Sequence, residues 1–277
     1  MKMNAHAKIN WALDITGTRD DGYHLMDMIM QKIDLCDELS FEHADELTLT
    51  IEGNETLAQE CDNLILKAAR ALRGDRPLGA SIRLKKNIPT GAGLGGGSAD
   101  AAAALQALNT LWDLNLTDEQ LSRIGLKLGA DVPYCLTGLP ARVRGIGEII
   151  TPFHAQNSCE LVLLQPDRSL STKEIFTAYD AVTPVHPDIQ AVHSALEKGD
   201  LNALRQCSGN VLALPSTAKL PEIEQYTNEL YTLGAVYASM TGSGSVVFGV
   251  FSDAISADNA YNTLYPSHPV CIRTRTI

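Results

Sequence analysis

The feature of this sequence that most constrains its fold is a glycine-rich segment followed directly by an alanine-rich one. Five of the seven residues from Gly91 to Gly97 are glycine, and the chain continues as SADAAAALQALNTLWDL without an interior glycine or proline. Glycine loses more conformational entropy on folding than any other residue, so five together need a compensating reason. Alanine has the highest helix propensity. The pattern predicts a loop whose backbone is closely approached, followed by a helix.

The residues before the loop complete a strand–loop–helix order. ASIRLKKNIP is predicted to be a strand that ends at Pro89, and Ser98 is a good candidate for the N-cap of the helix. The first N–H groups of a helix lack partners, and the helix dipole places partial positive charge at the same end. Together with unshielded backbone N–H groups in the loop, this order predicts an anion site, most often one for phosphate.

Three alternatives to this phosphate loop are weighed. A Walker A loop is excluded because no lysine lies within the glycine segment. Gly91, Gly93 and Gly96 match the dinucleotide pattern GxGxxG, but no strand ending in an acidic residue follows about 20 residues later. The third alternative is a glycine-rich turn without a ligand. Five glycines before an alanine helix disfavour it.

Composition narrows the partners and the compartment. The formal net charge of −11 disfavours nucleic acid, so an anionic ligand must be attracted by local groups. The six cysteines form no CxxC pair and are predicted to be buried and reduced. No signal-peptide core and no stretch of about 20 apolar residues is present, so a soluble cytoplasmic protein is expected.

Alternating and periodic segments predict the remaining elements of the first half. A first strand is expected to end at Gly17. A second strand should follow the Asp21-Gly22 turn, with a break near Asp34, and a third should span ELTLTIEG. CDNLILKAARALRG reads as a helix capped by Asp62 or Asn63. LTDEQLSRIGLKLG is predicted to be a helix with a capping box and a glycine stop; these involve Thr117, Gln120 and Gly129.

A domain boundary is predicted near residues 152–160, where a polar stretch interrupts the hydrophobic pattern. ARVRGIGEIITPF before it is predicted to be a hairpin, and LVLLQP after it a buried strand. Two helical stretches are expected, one at about 172–181 and one, with breaks, at about 187–232. AVYASMTGSGSVVFGVF is predicted to form a strand, a glycine turn and a second strand. Strands and helices without regular alternation predict an α+β fold.

The glycine segment and other stretches together resemble a known family. Pro89 through Ala101, PTGAGLGGGSADA, closely resembles the phosphate loop of the GHMP kinases, which are small-molecule kinases of galactose, homoserine and mevalonate type. The similarity runs in order from residue 5 to about 250. Within the family, the sequence most resembles the member that acts in the isoprenoid pathway. The stretches that carry it are AKIN at 7–10, DGYH at 21–24, DNLI at 62–65, LGADVPYCLTG at 128–138, GIGEIITP at 145–152 and MTGSGSVVF at 240–248.

The resemblance implies a two-domain α+β GHMP kinase fold. Its N-terminal part, residues 1–156, would be like the second domain of ribosomal protein S5, and its C-terminal part, residues 157–277, ferredoxin-like. The implied reaction uses ATP and Mg²⁺ and phosphorylates the 2-hydroxyl of a methylerythritol that carries diphosphocytidine. The chain would act as a monomer or homodimer. The residues implied to bind ATP are Asn63, Pro89, Gly91, Gly93, Leu94, Gly95, Gly96, Gly97 and Ser98.

Two residues are the predicted catalytic groups. Asp131, in GADVP, is the candidate base for the substrate hydroxyl; alone it would more often be a solvated turn residue. Lys8 lies in an otherwise apolar strand, where an unpaired buried lysine is costly. The resemblance pairs Lys8 with Asp131; the alternative is an edge-strand lysine whose amine reaches solvent.

The remaining candidates would bind the substrate. Asn10 lies two residues after Lys8, so both should face the same side of the strand, with Trp11 facing away. The resemblance implies that Asn10 contacts the erythritol hydroxyls, or else it is an ordinary edge polar group. The resemblance further implies a set of side chains that hold a cytosine ring, called here the cytosine clamp. For Phe176, which lies in a predicted helix, the alternative is core packing. The clamp residues are Tyr23, His24, Phe176 and, lining the same site, Thr172.

Two points stay open at this level. Ser98 can both cap the helix and approach the phosphates or Mg²⁺, and the glycine turn TGSGS at 241–245 either closes over substrate phosphates or is an ordinary hairpin turn. The alternative functions are another GHMP kinase with a different acceptor and a nucleotide-binding protein without catalysis.

Overall fold

The computed structural model describes residues 1–52, 63–156 and 158–277, in which strands and helices follow one another without regular alternation. The strands are β1 (Lys2–Thr18), β2 (His24–Ala44), β3 (Leu47–Ile51), β4 (Gly79–Lys85), β5 (Ala141–Gly145), β6 (Ile149–Pro152), β7 (Glu160–Gln165), β8 (Tyr237–Met240), β9 (Val247–Phe251) and β10 (Val270–Arg275). The helices are α1 (Leu64–Arg73), α2 (Gly96–Leu111), α3 (Asp118–Leu128), α4 (Val132–Cys135), α5 (Thr172–Tyr179), α6 (Ile189–Lys198), α7 (Leu204–Cys207), α8 (Ala213–Lys219), α9 (Glu222–Thr232) and α10 (Ala254–Leu264).

The described strands form two sheets. One has the order β3-β4-β2-β5-β6 with β1 paired to β2, and the other has the order β10-β7-β9-β8. Strands β3 and β4 are parallel. The predicted hairpins are confirmed, because β5 pairs antiparallel with β6 and β8 pairs antiparallel with β9.

The chain divides into two compact units that are interleaved in sequence. The first contains residues 1–7, 35–89 and 95–138, and the second contains residues 8–34, 90–94 and 139–277. The predicted domain division between residues 156 and 157 stays a prediction.

The core of the first unit depends on the alanines of α2. Ala101 and Ala104 are fully buried, and the small side chains allow helix α1 to pack closely on α2. The Trp112 indole at the end of α2 donates to the carbonyl oxygen of Gly79 at 3.0 Å. The core is completed by side chains from α1 and the sheet, including Ile65, Ala68, Leu72, Leu39, Phe41, Ile82 and Leu84.

Local capping signals are reproduced in this unit. The Asn63 side chain accepts from the Ile65 N–H at 2.9 Å and caps α1. Thr117 and Gln120 form the predicted capping box of α3, which ends at Gly129. The alternative cap, Asp62, lies outside the described residues.

Two local predictions are wrong. Ser98 is not the N-cap of α2, because Gly95 takes a left-handed conformation with φ of 71° and starts the helix three residues earlier. Strand β2 does not break at Asp34. The strand runs unbroken from His24 to Ala44; at this position Ile33 bridges to Thr276, and the exposed Asp34 carboxylate lies 3.5 Å from Arg275.

The second unit is built on the four-stranded antiparallel sheet. All five residues of β9 are buried, and Gly249 leaves room for Leu230 of α9, since a Cβ there would lie 2.9 Å from its Cδ2 atom. Helix α10 packs on β7 and β10. The pattern reading of the sequence had not resolved α10 or β10.

Two further findings concern the whole described chain. Among the described cysteines, Cys135, Cys159 and Cys271 are buried as predicted, whereas Cys36 and Cys207 are only half-buried. Among the described residues, no helix combines the length and apolarity that crossing a membrane requires.

Candidate active site

The C-terminal half of the glycine segment opens helix α2 in the first unit. No side chain caps this helix, so the N–H groups of its first turn lack a side-chain partner. A Cβ built on Gly96 would lie 3.0 Å from the Ile88 Cγ2 atom and 3.4 Å from the Lys86 amine. The glycine therefore lets the residues between β4 and the glycine segment pack directly against the start of the helix.

The segment that carries Asp131 lies beside this helix end. A Cβ on Gly129, which ends α3, would lie 3.6 Å from the Ser98 hydroxyl. Asp131 is half-buried and is the first residue before the short helix α4. The first unit thus brings the predicted phosphate residue Ser98 and the segment of the predicted base together.

A buried ionic triad, absent from the sequence prediction, lies on the other side of the same helix end. The Lys86 amine donates to the carboxylates of Asp37 and Asp100, the latter at 2.9 Å. Asp37 is fully buried and also accepts from the N–H groups of Asn87 and Ile88 at 2.6 and 2.8 Å. The triad joins β2, the residues before the glycine segment and the first turns of α2.

The electrostatics of the triad follow from its burial. Burial, with the charge of Asp37, outweighs the attraction of Lys86 and raises the pKa of Asp100 to about 7. One of its carboxylate oxygens, Oδ1, is buried without a hydrogen-bond partner. For Lys86, burial alone would lower the pKa, but the charges and hydrogen bonds of Asp100 and Asp37 outweigh burial and raise it.

The N-terminal half of the glycine segment lies in the second unit, backbone to backbone with the TGSGS turn. Gly93 has φ of 77°, and a Cβ on it would lie 2.1 Å from the Thr241 carbonyl oxygen. A Cβ on Gly242 would lie 2.9 Å from the Gly93 oxygen, and the Val246 N–H donates to Ala92 at 3.1 Å. The TGSGS turn is thus both the β8–β9 connection and a packing surface for the glycine segment.

Lys8 contacts this junction. Its side chain is buried, and its amine donates to Asn10 Oδ1 at 2.8 Å and to the Gly93 carbonyl oxygen at 3.0 Å. The predicted common face of Lys8 and Asn10 is confirmed. The Trp11 indole instead donates to Gln31 at 2.8 Å.

Only some of the residues predicted to bind the cytosine ring contact one another. His24 lies against Phe176, with ring centroids 5.2 Å apart, whereas Tyr23 is 62% exposed. Thr172, at the start of α5, shares a hydrogen bond of 2.8 Å with the Ser243 hydroxyl of the TGSGS turn. The same helix therefore carries both predicted contacts, Thr172 and Phe176.

Several residues of these clusters carried no readable signal in the sequence. Lys86, Asp37 and Asp100 are up to 63 positions apart, so no local pattern indicates that they meet. Asp180 contacts His24 from 156 positions away. Asp131 and Lys8 belong to different units, and their pairing stays a prediction. Within the described part of the chain, no group of three or more His, Cys, Asp or Glu residues could hold a metal ion.

Comparison with known families shows which class of protein has this sequence and fold. The family model described as GHMP kinases N terminal domain matches residues 63–139, and that described as GHMP kinases C terminal matches residues 192–269. The chain belongs to the GHMP kinase family.

Similarity to particular enzymes extends over the full chain. A 4-diphosphocytidyl-2-C-methyl-D-erythritol kinase from Clostridium perfringens (strain 13 / Type A) is 41% identical and aligns with 100% of this chain and 98% of its own. The same-named protein of Clostridium beijerinckii is 38% identical, with 100% of both chains covered. The crystal structure of a 4-(cytidine 5'-diphospho)-2C-methyl-D-erythritol kinase superposes with a TM-score of 0.83 at 30% identity, covering 100% of this chain and 99% of that one.

These findings confirm the family and the fold predicted from the sequence. The α+β chain has the two-domain GHMP kinase fold. The roles of the individual site residues stay predictions.

Proposed function

We propose that this protein transfers the γ-phosphoryl group of ATP to the 2-hydroxyl of 4-diphosphocytidyl-2-C-methyl-D-erythritol, a step of the non-mevalonate isoprenoid pathway. The observation that carries this proposal is the 41% identity over the whole chain to a kinase named for that substrate. The glycine segment, the open helix end and the buried polar cluster around Lys8 support it.

ATP is the phosphate donor of GHMP kinases. The residues proposed to hold it are those of the glycine segment from Pro89 to Ser98, with Asn63 on the adenine side. The N-terminus of α2 suits phosphate, because its dipole and unpaired N–H groups favour negative charge. Since the chain has a net charge of −11, this local site must hold the nucleotide against the overall field.

Mg²⁺ fits this scheme as a partner of the nucleotide. Magnesium in kinases keeps several waters and is bound by phosphates with one or two protein oxygens, so a complete protein cage is not required. The Ser98 hydroxyl, in the first turn of α2, is the proposed protein oxygen beside the phosphates. When bound, the metal neutralises charge on the phosphates.

Asp131 is the proposed general base. Its carboxylate accepts the proton of the 2-hydroxyl while that oxygen bonds to the γ-phosphorus and ADP leaves. Lys8 is the proposed cation that stabilises developing negative charge. Its amine is held by Asn10 and the Gly93 carbonyl, so it is positioned before substrate arrives.

The second unit is proposed to bind the rest of the substrate. Phe176 and Tyr23 would hold the cytosine ring by stacking, and His24 would contact its edge. Thr172 would line the same site, and Asn10 would contact the erythritol hydroxyls. A cytoplasmic location, a monomeric or dimeric state and the exclusion of nucleic acid complete the proposal.

The direct test is acceptor-dependent ADP release. Purified protein with ATP, Mg²⁺ and the diphosphocytidyl substrate is expected to release ADP well above a blank without acceptor. No release above the blank refutes the proposal. Release with homoserine or mevalonate derivatives alone would then favour another GHMP kinase activity, and ATP binding without any turnover would favour a non-catalytic nucleotide-binding protein.

Asp131→Asn tests the proposed base within that assay. The variant keeps the size of the side chain and removes its basicity, so kcat should fall by at least about 100-fold, the usual contribution of a general base. ATP binding, measured by calorimetry, should change little. Retained turnover would remove Asp131 from this role.

A further inference from the structure

Helix α5 and its C-cap residue, Asp180, present three side chains to one histidine of the second unit. Phe176, Tyr179 and Asp180 follow one another at i, i+3 and i+4, so they share a face of the helix. The rings of Phe176 and Tyr179 lie 5.2 and 5.9 Å from that of His24, and the Asp180 Oδ1 atom lies 2.7 Å from its Nε2 atom. Tyr179 and Asp180 were not among the residues predicted from the sequence.

The charge of the Asp180 carboxylate also affects the pKa of Tyr179. Burial raises the pKa of the Tyr179 hydroxyl, and the charges of Asp14 and Asp180 raise it further. The His24 side chain is 13% exposed and that of Asp180 is 60% exposed, so the ring is largely covered while the carboxylate also faces water.

The contact with a carboxylate decides which nitrogen of a neutral imidazole carries the proton. An ionised carboxylate can only accept hydrogen bonds, and a neutral imidazole has one N–H donor and one acceptor nitrogen. Since Nε2 of His24 faces Asp180, the proton belongs on Nε2. The other nitrogen, Nδ1, is then left as a hydrogen-bond acceptor.

We propose that Asp180 is a positioning residue that fixes His24 in the Nε2–H form and thereby makes the site accept cytosine and reject uracil. The inference rests on the proposed function, in which His24 meets the base. Cytosine carries an amino donor at position 4, whereas the corresponding position of uracil carries a carbonyl acceptor. An acceptor nitrogen on His24 pairs with the first and opposes the second.

Asp180→Asn is the variant that separates this role from simple tethering. The asparagine amide is of similar size, but it can accept from Nε2–H through its oxygen or donate to a bare Nε2 through its nitrogen. Both forms of His24 are then populated, and one of them offers an Nδ1–H donor that suits uracil. A residue that only ties α5 to β2 would leave the choice of base unchanged.

The chain offers a matched control. His268 Nε2 lies 2.8 Å from the Glu229 carboxylate in the same unit, so Glu229→Gln weakens an equivalent histidine–carboxylate contact that no proposed substrate residue shares. Any general effect of losing such a pair should appear in both variants. An effect on base choice should appear only in Asp180→Asn.

The first measurement needs no substrate. Ring-nitrogen NMR shifts of full-length protein labelled with ¹⁵N-histidine, assigned with a His24→Gln variant at pH 8, should show His24 with a protonated Nε2 and a bare Nδ1. Asp180→Asn should move both shifts toward the average of the two forms, and Glu229→Gln should leave them in place. A protonated Nδ1 in the native chain, or unchanged shifts in Asp180→Asn, overturns the inference.

The second measurement compares kcat/KM for the cytidine and uridine diphosphate forms of the acceptor. We expect the native chain and Glu229→Gln to prefer the cytidine form by at least about 100-fold, as sites with opposed hydrogen-bond groups do. Asp180→Asn should lower this preference about tenfold, through KM for both acceptors rather than kcat. An unchanged preference in Asp180→Asn refutes this inference alone, whereas no turnover of either acceptor by the native chain refutes the proposed function and this inference with it.

Discussion

Replacing Lys86 by methionine should unfold the protein far more easily than the same change at the adjacent Lys85. The Lys86 side chain is 17% exposed and lies between carboxylates that are 0% and 6% exposed, those of Asp37 and Asp100. Removing one partner of a buried ion pair typically costs about 3–5 kcal/mol, because the other charge is left buried without compensation. Lys85 pairs with Glu38 at the surface, where both side chains are half exposed, so its loss should have no measurable effect.

The expected loss lies near the lower end of that range. Asp37 keeps its two hydrogen bonds from backbone N–H groups, and Asp100 can take up a proton instead of remaining charged. We therefore expect a loss of about 3 kcal/mol at pH 7. At about 2–4 °C per kcal/mol, the midpoint of thermal unfolding should fall by roughly 10 °C.

The assay is thermal and urea unfolding of native chain, Lys86→Met and Lys85→Met at pH 5 and pH 8. Because the pKa of Asp100 is about 7, this carboxyl is mostly neutral at pH 5 and mostly charged at pH 8, so it depends on Lys86 more at pH 8. The loss caused by Lys86→Met should therefore be larger at pH 8. Equal effects of the two methionine variants, or the same loss at both pH values, would refute the electrostatic account of the triad.

Two further predictions concern the same glycine segment and triad. Gly93→Ala should abolish activity and destabilise the fold, because its Cβ would overlap the Thr241 carbonyl oxygen, whereas Gly97→Ala, with 3.5 Å to its nearest neighbour, should fold normally by circular dichroism. For Asp100, the folded-state pKa of about 7 exceeds the usual unfolded value of about 3.9, so its stabilising proton is lost as pH rises through 7. The free energy of unfolding of Asp100→Asn minus that of the native chain should therefore increase from pH 5 to pH 8 in urea titrations, and a flat difference would contradict this pKa.

What the sequence could predict depended on how far apart the interacting groups are. The capping box of α3 and the Asn63 cap lie within three residues of their partners, and both are present. The start of α2 was misplaced because glycine also serves as an N-cap, and a serine three residues later matched the stronger side-chain preference. Asp34 looked like a strand break since its partners are at the far end of the chain.

The candidate site shows the same limit. Lys8 and Asn10 could be placed on one face because side chains alternate along a strand. The glycine loop was evident from composition, but its contact with Thr241 was not, since 148 positions separate the residues. Tyr179 and Asp180 could not be recognised from the sequence, because their relevance depends on contact with His24 of a distant strand.

The backbone contact between Gly93 and the TGSGS turn has a consequence for the order in which the protein matures. Domains emerge from the ribosome N-terminal part first, but residues 92–93 make backbone contacts with Thr241, Gly242 and Val246, which are synthesised about 150 residues later. A nascent chain that ends before residue 241 lacks the turn against which this half of the glycine segment packs. This half of the glycine segment should therefore reach its final packing only late in synthesis.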